Sequence, residues 1–377
     1  MFFKDIYGNT AVKHHLVRMV EDNRLSHAIL FSGQEGDAKL QLAIAFAAYL
    51  NCENPHDGDA CGQCPSCIQM KKLSHPELHF IFPIAGSVKK SSEPSSSDHI
   101  EEWRDFINKT DGLGTLSDWY DSIGVTTGQG IINANDCNNI IRALSYTSYQ
   151  SRYKVVIIWM IERLFHAAAP KLLKILEEPP EDTLFILITE DRSAILDTIL
   201  SRTQTLSIPA FTANDVSSYL KARFNIPAEE AAKFAEFSDG NAAMAVNMVL
   251  SPETNSNFFD EFIQWMRICL QADMLKILPF VDDFSKNNRE KVLMFLRSSL
   301  SLLRQALYLN TTGKMSIPIP ESQMATFTKF AQFVSPSNIT IFNTAINQTI
   351  YRIERNGLIP LLMTNLTINL CRAFKKK

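Results

Sequence analysis

Two clusters of residues in this chain have the types and spacings that chemistry needs. The first is Cys52, Cys61, Cys64 and Cys67, spaced C-x8-C-x2-C-x2-C. Two-residue gaps let neighbouring thiolates converge on one tetrahedral ion, with Gly58, Gly62 and Pro65 supplying the turns. Structural zinc, a redox Cys-x-x-Cys pair and an iron–sulfur cluster compete for this spacing. Four thiolates so close together favour zinc, because a redox pair leaves Cys52 and one other thiol without a part. A closed four-sulfur shell has no position open to substrate, so its expected role is structural. His56 and His75 lie nearby, but the sulfurs already complete the shell. Cys137, Cys269 and Cys371 stand alone on apolar helical stretches and read as buried thiols.

The second cluster is the outline of a phosphate-binding loop. Gly33-Gln34-Glu35-Gly36-Asp37-Ala38-Lys39-Leu40 follows an apolar strand and opens an apolar helix. The full motif is G-x-x-x-x-G-K-S/T, in which glycines bring backbone N–H groups to phosphates, lysine neutralises them and the hydroxyl holds magnesium. Gly33, Gly36 and Lys39 stand in place, whereas Ala38 replaces the second motif glycine and Leu40 replaces the hydroxyl. Leucine offers no oxygen to a hard cation. Lys39 is left with a structural task, pairing with a carboxylate or with loop carbonyls.

The elements that must position these groups alternate in type. Strand patterns at 28–32, 77–83, 154–158, 184–189 and 204–208, of which 154–158 and 184–189 are apolar β-branched runs, alternate with helical patterns at 8–23, 40–50, 135–144 and 167–177. That alternation predicts an open parallel α/β sheet with helices on both faces. The stretch 86–130 is polar at Ser91–Asp98 and reads as a surface insertion, with a short helix near 100–107 carrying Trp103 and Phe106. After Phe211 the pattern turns wholly helical, as in Phe258, Phe259, Phe262, Ile263 and Met266.

Composition excludes several classes. The 377 residues are 46% apolar and 20% charged, with 37 basic and 40 acidic side chains and a net charge of −3. A free-standing nucleic-acid binder would show a basic footprint. Met1–Ile6 lacks a basic segment leading into a long apolar run, so no signal peptide is expected; no uncharged stretch is long enough to span a bilayer, and a cytoplasmic location is expected.

His27-Ala28-Ile29-Leu30-Phe31-Ser32-Gly33, the four-cysteine insertion after the first helix of the module, Lys171-Leu172-Leu173-Lys174-Ile175-Leu176-Glu177-Glu178-Pro179-Pro180 and Leu200-Ser201-Arg202-Thr203 occur in that order. Together they resemble the AAA+ clamp-loader family of bacterial DNA polymerase III, in which delta-prime and gamma/tau subunits are siblings. The resemblance implies a degenerate AAA+ domain over 1–210 carrying the zinc module (52–67) and the polar insertion (86–130). A small helical lid follows over 211–250, and a helical collar that oligomerises over 251–377.

The resemblance also implies what is missing. A working member ends its third strand with Asp-Glu, for magnesium and for the attacking water; here Trp159 and Met160 follow Ile158. The segment that offers an arginine to the γ-phosphate resembles Asp239–Ala245, with Ala243 at the matching position. ATP and Mg²⁺ are therefore not expected to be hydrolysed, no nucleotide is expected in the loop, and Gly33, Gly36 and Lys39 are vestigial. Ser201-Arg202 reads on its own as an arginine at a helix C-terminus facing the dipole. In the family an arginine after this serine reaches the neighbour's ATP, although the usual third residue is cysteine and here it is Thr203. The implied role is a non-catalytic stator beside gamma/tau and delta partners, loading the sliding clamp onto primed DNA. Two rivals stand beside it. One is an active gamma/tau-like ATPase, disfavoured by Leu40, Trp159, Met160 and the lack of a long tail. The other is a stand-alone zinc-containing nucleic-acid-binding protein, disfavoured by the acidic balance.

Overall fold

A computed structural model describes residues 1–84, 95–125, 130–146, 152–250, 252–286, 289–313, 321–355 and 357–375. The chain folds as two compact units, residues 1–223 with 239–244, and residues 224–238 with 245–375.

The first unit is built on β1 (Ala28–Ser32), β2 (Leu78–Ile81), β3 (Lys154–Trp159), β4 (Thr183–Thr189) and β5 (Gln204–Ser207). All pair in parallel in the order β2-β3-β4-β1-β5. Every residue of β3 and β4 is buried, as expected of continuous apolar strands covered on both faces. β5 forms one edge and exposes Gln204, Thr205 and Ser207, polar side chains that suit a strand with one unpaired rim.

Helices α1 (Thr10–Glu21), α2 (Lys39–Leu50) and α3 (Pro65–Lys71) belong to the first part of this unit. All twelve residues of α2 are buried, which its sequence Lys-Leu-Gln-Leu-Ala-Ile-Ala-Phe-Ala-Ala-Tyr-Leu anticipates, since a helix apolar all round must be covered all round. The middle supplies α4 (Ile100–Thr110), α5 (Leu116–Ser122) and α6 (Ala134–Ser145), followed by α7 (Ala169–Glu177) and α8 (Asp197–Leu200). The C-terminal helices are α9 (Ala213–Phe224), α10 (Ala228–Phe237), α11 (Ala242–Leu250), α12 (Pro252–Gln271), α13 (Met274–Phe284), α14 (Arg289–Thr312), α15 (Glu321–Ala331), α16 (Pro336–Glu354) and α17 (Ile359–Lys375).

The stretch expected as a surface insertion is corrected by its burial. Residues 86–94 and 126–129 lie outside the described residues, but 95–125 contribute to the core. Trp103 and Trp119 are wholly buried, with Phe106 and Tyr120 beside them. Even the end of the polar run packs: Ser96 is buried, its N–H and hydroxyl both donating to Asp136 Oδ1 at 2.6 and 2.8 Å. A buried carboxylate at the start of α6 thus absorbs a serine that composition alone would leave in solvent.

In the second unit α12, α13, α14, α16 and α17 bury Phe262, Trp265, Phe295 and Phe342. Trp265 Nε1 donates to Thr367 Oγ1 at 2.9 Å, so the buried indole has its partner. Cys137, Cys269 and Cys371 are all buried, as expected. Among the described residues no helix is long and apolar enough to cross a membrane.

Candidate functional site

Parallel strands present all their carboxyl ends at one rim of the sheet, and in such sheets the rim is where ligands are held. The loop 33–38 leaves β1 there, and Trp159-Met160 ends β3 on the same rim, with β4 between.

Lys39 does not reach into open space. Its Nζ donates to Asp37 Oδ1 at 2.8 Å and to the Gln34 carbonyl, and its backbone N–H donates to the same Asp37 Oδ1 at 3.0 Å. Both side chains are buried, 5% and 0% exposed. Burial raises the Asp37 carboxyl above the ordinary carboxylate value, against the pull of the Lys39 charge and hydrogen bonds. The expectation of a carboxylate or carbonyl partner for Lys39 holds on both counts; Asp37 as that partner is the residue sequence reasoning missed. Its position two residues before the lysine was the available signal.

The loop is closed from a second side. Gly36 has φ +74°, and a Cβ there would stand 1.9 Å from Asn241 Oδ1, so only glycine fits. Ala242 N–H donates to the Gly36 carbonyl at 3.0 Å. The segment expected to have carried the sensing arginine therefore does lie against the loop, with Ala243 buried and apolar.

At the end of β3 the chain holds no carboxylate. Trp159 is buried, 5.1 Å from the Trp103 ring and 6.0 Å from that of Phe106, while Met160 turns through φ +59°. Glu162 Oε1 accepts the Glu190 N–H at 3.0 Å, and burial raises its carboxyl. It is committed to the exit of β4 rather than to the loop. Leu40 and Trp159 offer no oxygen to a hard cation and Met160 offers no base for water, so these side chains do not fit a magnesium site.

The four cysteines do converge. Their sulfurs all lie within 4.8 Å of one another, and Cys61 Sγ and Cys67 Sγ are 3.8 Å apart. A tetrahedral zinc shell with bonds of about 2.3 Å has sulfur–sulfur edges of about 3.8 Å. Backbone N–H groups point at the sulfurs: Cys61 N at Cys52 Sγ (3.2 Å), Gln63 N and Cys64 N at Cys61 Sγ (both 3.4 Å), and Cys67 N at Cys64 Sγ (3.4 Å). The Gln63 and Cys64 amides bring the Cys61 thiol down to about 6, while burial pushes Cys52 and Cys67 up. Several thiolates can share this space only around a cation, so the donor set fits a structural Zn²⁺. Cys64 also caps α3, with Pro65 at its first position, so the cluster ties that helix to the loop before it.

Arg202 follows α8. Its Nη1 donates to the Thr198 carbonyl at 2.7 Å and to Ser201 Oγ at 3.2 Å, and its Nη2 pairs with Glu177 Oε1 at 2.5 Å. The first bond is that of an arginine at a helix C-terminus. Glu177, the last residue of α7, is a partner the sequence did not reveal. About a third of the Arg202 side chain stays exposed.

Residues 8–212, more than half of the chain, match the family model described as DNA polymerase III, delta subunit. The delta-prime subunit of DNA polymerase III from Bacillus subtilis is 31% identical over 191 residues, 51% of this chain and 44% of that protein. The tau/gamma subunit from Haemophilus influenzae is 27% identical over 244 residues, 63% of this chain and 29% of that protein. The chain thus spans less than half the length of either relative. A gamma subunit-related protein of DNA polymerase III from Thermotoga maritima superposes over 96% of this chain and 99% of its own, at TM-score 0.41 and 15% identity.

Proposed function

The chain belongs to the DNA polymerase III delta subunit family, and from that premise we propose that it is a non-hydrolysing, delta-prime-like subunit of the clamp loader. In this reading the first unit contains a degenerate AAA+ domain (1–210), followed by a lid (211–250) and an oligomerising collar (251–377). The subunit sits in the cytoplasm beside gamma/tau and delta partners and serves as the stator against which the sliding clamp is opened and placed on primed DNA.

One observation carries the proposal: Lys39, the loop's phosphate-neutralising residue, is spent on Asp37 inside the chain. Leu40, Trp159, Met160 and Ala243 support it, because each lacks the oxygen or the charge that hydrolysis needs at its place. The subunit's contribution to turnover is Arg202, which leaves Glu177 to meet the phosphoryl group held by a neighbouring ATPase. Fingers of this kind are worth ~10³–10⁵ in rate. The test is ATP hydrolysis by the chain alone and by its mixture with gamma/tau and delta, with and without Arg202→Ala. The closeness of tau/gamma relatives keeps the motor as the competing reading, and metal-dependent turnover by the chain alone would establish it.

A further inference from the structure

We infer that the Asp37 carboxylate occupies the anion seat of the phosphate loop as a built-in phosphate surrogate, so that its removal opens a metal-independent seat for condensed phosphates such as pyrophosphate. This rests on reading 33–40 as a lapsed phosphate loop and is independent of any role for Arg202.

In a working loop three things converge on the anion: the lysine ammonium, backbone N–H groups at the start of the helix, and space left by glycine. Here one carboxylate takes all three. Oδ1 receives Lys39 Nζ at 2.8 Å and the backbone N–H of Lys39, first residue of the twelve-residue α2, at 3.0 Å. Oδ2 fills the space that Gly33 leaves, since a Cβ on Gly33 would stand 2.0 Å from it. The same Oδ2 is buried without a hydrogen-bond partner. An aspartate placed only to pair with a lysine needs neither the glycine nor the helix amide, and its second oxygen is ordinarily satisfied. A carboxylate standing where a larger anion was held explains all three. Leu40 adds no metal ligand, so the seat opened by removing Asp37 takes its anion through Lys39 and the amide alone.

The experiment uses the whole chain, with inorganic pyrophosphate titrated calorimetrically at constant ionic strength and no divalent cation added. Wild type is expected to show no saturable binding in the millimolar range. Asp37→Ala should bind roughly tenfold or more tightly, the scale of one freed charge-assisted hydrogen bond, and Lys39→Ala on that background should abolish the gain. Asp37→Ser removes the charge and vacates the Oδ2 position beside Gly33 while keeping one hydroxyl in the loop; it should gain affinity in the same direction, and it decides the matter if the alanine variant does not fold. If wild type and the folded variants all fail to bind, or the gain survives loss of Lys39, the inference is overturned while the reading of the loop stands. Saturable binding by wild type overturns both.

Discussion

The indole rings of Trp159 and Trp103 lie 5.1 Å apart at the carboxyl rim of the sheet. In the proposed reading Trp159 stands where a motor would carry its metal-binding carboxylate, and it forms one wall of an aromatic cluster that also holds Phe82, Phe106 and Trp119. Restoring the carboxylate by Trp159→Asp should therefore confer no ATP hydrolysis and should cost about 3–5 kcal/mol, the range for truncating a buried aromatic residue. Urea unfolding checks this; an unshifted midpoint would show that the cluster does not depend on Trp159.

The Lys39–Asp37 pair gives a second expectation. Removing one partner of a buried pair leaves an uncompensated charge and typically costs about 3–5 kcal/mol, whereas an apolar replacement of both is often near neutral. Lys39→Met alone should be strongly destabilising, and Asp37→Leu with Lys39→Met should recover most of the loss. Equal stability of the single and double variants would mean that the two side chains are not coupled.

The cysteine cluster predicts about one zinc ion per chain, released when the thiols are modified and captured by a colorimetric chelator. Cys61→Ser should reduce zinc retention and leave the amides of α3 to exchange before those of β3 and β4. Full zinc occupancy in that variant would exclude the four-sulfur shell.

A pH dependence follows from His75. Its Nδ1 accepts the Glu77 N–H at 3.1 Å, a bond the imidazolium cannot accept, and burial lowers its pKa below 6.5. Between that lowered value and 6.5 the unfolded chain binds the proton and the folded chain does not. Stability should therefore fall as pH drops through this window. Burial likewise lowers His79, which adds in the same direction. His75→Asn retains an acceptor and cannot be protonated, so it should flatten the acid side of a melting-temperature profile. An unchanged slope would remove His75 from the effect.

Much of this was legible in the residues. All five strands and the four-sulfur cluster follow from local residue patterns and from cysteine spacing, signals that act over a few residues. The polar serines before α4 misled because their partner, Asp136, lies 40 residues away and only the fold brings it to Ser96. Tertiary closeness hid Asn241 against Gly36 and Glu177 against Arg202 in the same way. Asp37 was hidden differently: it stands only two residues before Lys39 in sequence, but a phosphate-loop pattern has no place for an anion among its own residues.

ATP turnover in the assembled complex tests the central claim most directly. The chain alone should be inactive, its mixture with gamma/tau and delta partners should hydrolyse ATP, and Arg202→Ala should lower that turnover while the complex still assembles on a sizing column. Undiminished turnover with Arg202→Ala would contradict the finger, and metal-dependent hydrolysis by the chain alone would make the protein a motor.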